Sequence, residues 1–166
     1  MTRIGVLSDS HSDFDPKILH YFSDCDEIWH AGDIGNLLII DKLKAVKKTR
    51  AVYGNIDNAK IRSEIPEVQI FEIENCKILI THIAGTFENY NKNVKNLIAE
   101  NRPDILVCGH SHILKVAYDK TNQLLFINPG ACGKSGFHQV RTLIRFNIDG
   151  SAIQDMEVIE LLPRFF

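Results

Sequence analysis

Apolar residues in this chain come in short runs, each halted by a small polar cluster. Residues 3–8 favour β structure and stop at DSHSD, which predicts a strand and then a loop. Pro16 opens a helix reaching about Phe22, with Ile18, Leu19 and Phe22 on its inner face. Residues 27–31 predict a second strand ending at Gly32-Asp33. Residues 37–45 predict a helix, and residues 49–53 a strand ending at Gly54-Asn55. Strand and helix alternate here as in a layered α/β domain.

The second half changes character. Residues 68–73, a turn at Glu74-Asn75 and residues 77–81 predict a hairpin. A helix over about 91–100 precedes Pro103 and the strand 105–108. Only strands follow, at 115–118, 124–127, 141–146 and 153–161, with turns at Thr121-Asn122 and Asp149-Gly150. No repeat, linker or low-complexity segment appears. The pattern predicts one domain over residues 1–166: α/β, with two stacked, mostly mixed β-sheets forming a sandwich flanked by α-helices.

Composition narrows the function classes. The 166 residues are 45% hydrophobic and 24% charged, with a net charge of -2. That balance gives no general pull toward nucleic acid or anionic membrane. Lys42, Lys44, Lys47, Lys48 and Arg50 form a basic run that reads as a solvated helix end. No basic track or aromatic ladder for a nucleic acid is visible. The longest apolar runs, such as residues 37–40, are far too short to cross a bilayer, and MTRIGVLSD reads as a strand rather than a signal peptide. Cys25, Cys76, Cys108 and Cys132 are widely spaced without a C-x-x-C pair, which suits reduced thiols in the cytoplasm. The closing LLPRFF holds two phenylalanines that either core packing or a subunit contact would explain, so a homo-oligomer stays open.

One arrangement recurs at the strand ends. Ser8-Asp9-Ser10-His11, Gly32-Asp33, Gly54-Asn55, Thr81-His82 and Gly109-His110-Ser111-His112 each directly follow an apolar run. The carboxyl ends of strands in an α/β sheet converge on one edge, where ligands bind. Two Asp, one Asn and four His would then share one crevice. Mixed imidazole and carboxylate oxygen suits manganese, iron, zinc, cobalt or nickel better than calcium or magnesium alone. Seven ligands exceed one tetrahedral zinc site, but fit two divalent ions if one carboxylate bridges.

In these residues the sequence resembles the calcineurin-like metallophosphoesterase superfamily. The order D-x-H, G-D, G-N, H, G-H-x-H matches Asp9/His11, Gly32/Asp33, Gly54/Asn55, His82 and Gly109/His110/His112. The compact length and Asn128-Pro129-Gly130 look like its short YfcE-type phosphodiesterase branch. The resemblance implies a four-layer αββα sandwich and two divalent ions, manganese first among them, holding a bridging hydroxide that attacks a small phosphodiester. It assigns Asp9, His11 and His112 to the first ion, Asn55, His82 and His110 to the second, and Asp33 to the bridge. Asn55 would also direct its amide at a phosphate oxygen. Asn128-Pro129-Gly130 would shape the site floor, or simply be a rigid turn.

Two departures from the superfamily pattern bear on chemistry. The wider family places histidine, the usual proton donor to the leaving alcohol, after G-N; here that position is Ile56. Positioned acid catalysis is typically worth about 10²–10⁴-fold, so phosphomonoesters with poor leaving groups fit less well. His138 is a candidate replacement, although a surface histidine is the simpler reading. The branch more often reads T-H-G where this chain reads THIAG, so Ile83 and Ala84 reshape one wall. Asp57 is expected to support the Asn55 loop, His20 to lie on the surface, and His30 to hydrogen-bond behind the site or pack in the core. Lys134 and Arg141 could neutralise substrate charge or be plain surface cations. The alternatives are a protein-binding scaffold, since a retromer subunit resembles the same fold, and a phosphomonoesterase.

Overall fold

The computed structural model describes the backbone of residues 1–163 and the side chains of residues 1–161; Phe165 and Phe166 lie outside the described residues. In order, the elements of the first half are β1 (Thr2–Leu7), α1 (Lys17–Tyr21), β2 (Glu27–His30), α2 (Leu37–Lys44), β3 (Lys48–Ala51) and α3 (Ala59–Glu64). Then come β4 (Val68–Ile73), β5 (Cys76–Thr81), β6 (Gly85–Thr86), β7 (Asn89–Tyr90) and α4 (Lys92–Asn101). The chain finishes with β8 (Ile105–Val107), β9 (Lys115–Asp119), β10 (Leu124–Asn128), β11 (Val140–Asp149) and β12 (Ala152–Pro163).

Two five-stranded sheets result, in the orders β12-β11-β1-β2-β3 and β4-β5-β8-β10-β9. Both are mixed. β1, β2 and β3 run parallel, with β11 antiparallel to β1 and β12 antiparallel to β11. In the second sheet β5, β8 and β10 run parallel, with β4 and β9 antiparallel at the edges. The period-two alternation of side chains decides what each face meets. Ile4, Val6, Ile78, Ile80, Ile105 and Val107 point between the sheets, in one cluster with Trp29 and Phe146. Leu7 and Ile28 point outward and pack with Ile18, Ile39, Ile40, Leu43 and Ile61 from the first three helices and with Phe22 just after α1. Leu79 and Leu106 do the same on the other side, against Val94 and Ile98 of α4. The layers are therefore helix, sheet, sheet, helix, as expected.

Local capping explains where the helices begin. Asn36, Asn58 and Asn91 precede α2, α3 and α4, and each side chain accepts a hydrogen bond from a first-turn backbone N–H. The short α3 and the β6–β7 hairpin were not predicted. α3 buries only Ile61, too little for a helical period, and each hairpin strand has two residues. β3 begins at Lys48 rather than Thr49 and stops at Ala51, so the basic run is divided. Lys42 and Lys44 are exposed on α2, whereas Lys48 and Arg50 pair with Glu27 on β2 at 3.2 and 3.0 Å. All four cysteines are buried and unbridged. Among the described residues no helix is long and apolar enough to cross a membrane.

Candidate metal centre

The parallel strands deliver the polar clusters to one place. Asp9 and His11 follow β1, Asp33 follows β2, Asn55 follows β3, His82 follows β5, and His110 and His112 follow β8. Five of these residues leave their strand in left-handed backbone: Asp9, His11, Asp33, His110 and His112, with φ between 47° and 72°. Such backbone costs energy in a residue other than glycine and persists where the surroundings over-determine it. Gly54 is a second sign of crowding, because a Cβ there would run into the backbone nitrogen and carboxylate of Asp33.

Side-chain atoms gather into two groups. Ligand atoms of Asp9, His11 and His112 lie within 4.8 Å of one another, as do those of Asp33, His82 and His110. Asn55 joins the second group through its Oδ1, 3.0 Å from His110 Nδ1. Asp33 connects the groups, since its Oδ2 lies 3.3 Å from His11 Nε2 and 3.2 Å from His82 Nε2. All seven sequence-predicted residues thus converge, with Asp33 central.

Each carboxylate is held by one oxygen and presents the other. Asp9 Oδ2 accepts from Ser8 Oγ at 2.7 Å and from the His110 N–H at 3.1 Å. Its Oδ1 faces His112 Nε2 at 3.2 Å and has no hydrogen-bond partner. Asp33 Oδ1 accepts the Ile56 N–H at 3.1 Å, which leaves Oδ2 for the imidazoles. The imidazoles are fixed in the same way. His82 Nδ1 lies 2.7 Å from the Ala31 carbonyl, which can only accept, so Nδ1 carries the proton and Nε2 turns toward the carboxylates. Asp9 Oδ1, His11 Nε2 and His82 Nε2 are all buried without hydrogen bonds. Leaving such atoms unsatisfied is expensive. Divalent cations would satisfy all three, and the donor set of imidazoles and carboxylate oxygens suits borderline metals.

Protons take the cations' place otherwise. Asp33, then Asp9, beside the ring raises His11 to about 9 against the opposing effect of burial. Burial pushes Asp9 and Asp33 upward, but neighbouring imidazoles win and hold both well below the carboxylate range. His30 behaves differently. Burial lowers it to about 4, and it sits neutral behind the site, 2.9 Å from Ser10 Oγ and accepting the Gly32 N–H on Nδ1.

Supporting residues fall partly where expected. Asp57 is buried and accepts from the N–H groups of Ile34, Gly35 and Gly54 at 3.1, 2.8 and 2.8 Å, tying the β2 and β3 exits together. Asn128 binds the Gly109 carbonyl and Ser111 Oγ, so it buttresses the G-H-S-H loop. His20 is exposed. Two expectations are corrected. Arg141 is neither solvated nor available to substrate: it is 3% exposed and ion-paired to Asp15 at 3.3 Å. His138 is not a surface histidine but half-buried against His112. Arg62 was missed. It stacks over Tyr53 and donates to the carbonyls of Asp57 and Asn55, which steadies the G-N-I-D loop. Beside the second group opens a cleft of about 570 Å³, lined among others by Tyr53, Asn55, Arg62, His82, Ile83 and Lys92.

The two-sheet sandwich thus gathers histidines and carboxylates at the carboxyl ends of its strands, a donor set that could hold divalent metal ions. Residues 2–151 match the calcineurin-like phosphoesterase superfamily domain, and the chain belongs to that family. It is 31% identical over 134 residues to a probable metallophosphoesterase of Methanocaldococcus jannaschii, covering 77% of this chain and 67% of that one. Among solved structures, an archaeal phosphodiesterase superposes with a TM-score of 0.75 at 24% identity, covering 96% of this chain and 99% of its own. Chaetomium thermophilum Vps29 gives 0.76 at 16% identity, covering 96% and 95%.

Proposed function

We propose that this metallophosphoesterase is a phosphodiesterase using two divalent ions, manganese foremost. Asp9, His11 and His112 would hold one ion, Asn55, His82 and His110 the other, and Asp33 both. The observation that supports this is the pair of three-residue groups joined by one oxygen of Asp33. Vps29 proteins share the backbone, so the reading rests on these side chains rather than on the fold.

Bound ions would supply Lewis-acid polarisation of the phosphoryl oxygens and a more acidic water. The chain's own residues do the rest. Asp33 would set the spacing of the two ligand groups, and Asn55, which lines the 570 Å³ cleft, would direct its amide at a phosphate oxygen. Ile56 supplies only a backbone N–H, which it gives to Asp33. No imidazole therefore stands after Gly54-Asn55 to protonate a leaving alcohol, and phosphomonoesters with poor leaving groups are disfavoured.

The test uses metal-stripped protein reloaded with Mn²⁺. Two equivalents should bind per chain, and bis(p-nitrophenyl) phosphate should be cleaved faster than p-nitrophenyl phosphate. Protein that binds two equivalents but leaves the diester intact would point to a scaffold and end the proposal. Faster turnover of the monoester would overturn the diester preference.

A further inference from the structure

His112 has a neighbour that the reading above does not use. Its Nδ1 lies 3.2 Å from His138 Nδ1, and His138 Nε2 lies 2.7 Å from the Gly133 carbonyl. A carbonyl only accepts, so in neutral His138 the proton sits on Nε2 and Nδ1 offers a lone pair. His112 must then donate from Nδ1. That leaves His112 Nε2 bare, 3.2 Å from the unpartnered Asp9 Oδ1. Two lone pairs facing each other need a cation between them, a metal ion or, without one, a proton.

We propose that His138 is a positioning residue for the first metal group: it fixes the tautomer and orientation of His112 so that Nε2 is presented beside Asp9. The proposal rests on reading Asp9, His11 and His112 as metal ligands.

The contacts close on themselves. Gly133, whose carbonyl accepts the His138 Nε2 hydrogen bond, donates its own N–H to the Asp9 carbonyl at 3.2 Å, and Cys132 N–H reaches Ser8 O at 2.9 Å. The path from Asp9 through Gly133, His138 and His112 thus returns to Asp9. Packing enforces it. The two rings meet edge to face with centroids 5.1 Å apart. Gly136, at φ 129°, lies so close that a Cβ would strike His112 Nδ1 and crowd His138. His82 shows the simpler arrangement in the second group, with Nδ1 donating directly to a carbonyl. At His112 one extra imidazole is interposed between ligand and carbonyl. It ties residues 133–138 to the site.

The experiment reads the tautomer in metal-free protein. In ¹⁵N-histidine-labelled wild type, His112 should carry a proton on Nδ1, opposite to the Nε2–H preference of free imidazole side chains. His138→Leu should shift His112 toward Nε2–H, and His138→Asn, whose Oδ1 can accept, should restore Nδ1–H. Calorimetric titration with Mn²⁺ alone should show one of the two equivalents weakened about 10–100-fold in His138→Leu and regained in His138→Asn. Chemical denaturation in chelator should barely separate the three proteins. Wild-type His112 in the Nε2–H form, or His138→Leu with unchanged tautomer and Mn²⁺ affinity, overturns the proposal. If wild type binds no Mn²⁺ although His112 is Nδ1–H, the metal reading fails, and with it the purpose assigned to His138.

Discussion

Asp33→Asn is the perturbation that bears most directly on the centre. The replacement is isosteric, and its oxygen can keep the Ile56 N–H contact, so the loop has no reason to move. The amide nitrogen then takes the place of Oδ2, 3.3 Å from His11 Nε2 and 3.2 Å from His82 Nε2. A donor replaces an anion where, on the proposed reading, both groups share a ligand. Removing one partner of a buried charge interaction typically costs about 3–5 kcal/mol. That corresponds to roughly 10²–10⁴-fold weaker Mn²⁺ binding. Equilibrium dialysis with metal analysis reads the affinity. Proton NMR of chelated protein reads a second consequence: without Asp33, its largest cause, His11 should fall from about 9 toward its ordinary 6.5. Two Mn²⁺ bound at wild-type affinity, or His11 still titrating near 9, would refute the reasoning.

Metal-free protein should be most stable near pH 6.5. Neutral, buried His30 titrates at about 4 when folded against 6.5 unfolded, so stability rises with pH across that interval by roughly 3 kcal/mol. His11, raised to about 9, works in the other direction: its contribution is complete below 6.5 and is lost as pH climbs to 9. Urea midpoints measured in chelator across pH 4–9 would contradict this if they rose throughout, and saturating Mn²⁺ should remove the alkaline decline. Asp57→Ala strips three N–H groups of their acceptor and should cost about 3–5 kcal/mol in urea unfolding; a wild-type midpoint would show that the β2 and β3 exits do not depend on it. Ile56→His should raise Mn²⁺-dependent turnover of an alkyl phosphomonoester at least about tenfold, and no gain would mean that position 56 does not reach the leaving oxygen.

Much of the centre could be read before folding because its residues follow apolar runs immediately, and parallel strands deliver their carboxyl ends to one edge. What the sequence hid depends on distant partners. Arg141 reads as a surface cation until Asp15, far along the chain, is seen beside it. Lys48 and Arg50 belong to a charge run by sequence, but the β2–β3 register sets Glu27 opposite Lys48 and Trp29 opposite Arg50, so one buried carboxylate serves both. Arg62 sits on a helix with one buried position, too short to show a period. His138 lies 26 residues from His112 in an irregular segment, and nothing local distinguishes it from an exposed loop histidine. Periodicity finds strands and helices, but not which loop folds back over which.

The seven side chains are contributed by both leaves of the sandwich: Asp9, His11, Asp33 and Asn55 from one, His82, His110 and His112 from the other. Ions seated between them would act as a cross-link at that rim, where the apolar filling ends. Chelation would unfasten the rim while the opposite end stays closed by Ile148 and Ile73. Faster amide exchange confined to the exits of β1, β5 and β8 would be the mark of such a hinge, with occupancy of the centre setting how often the leaves part.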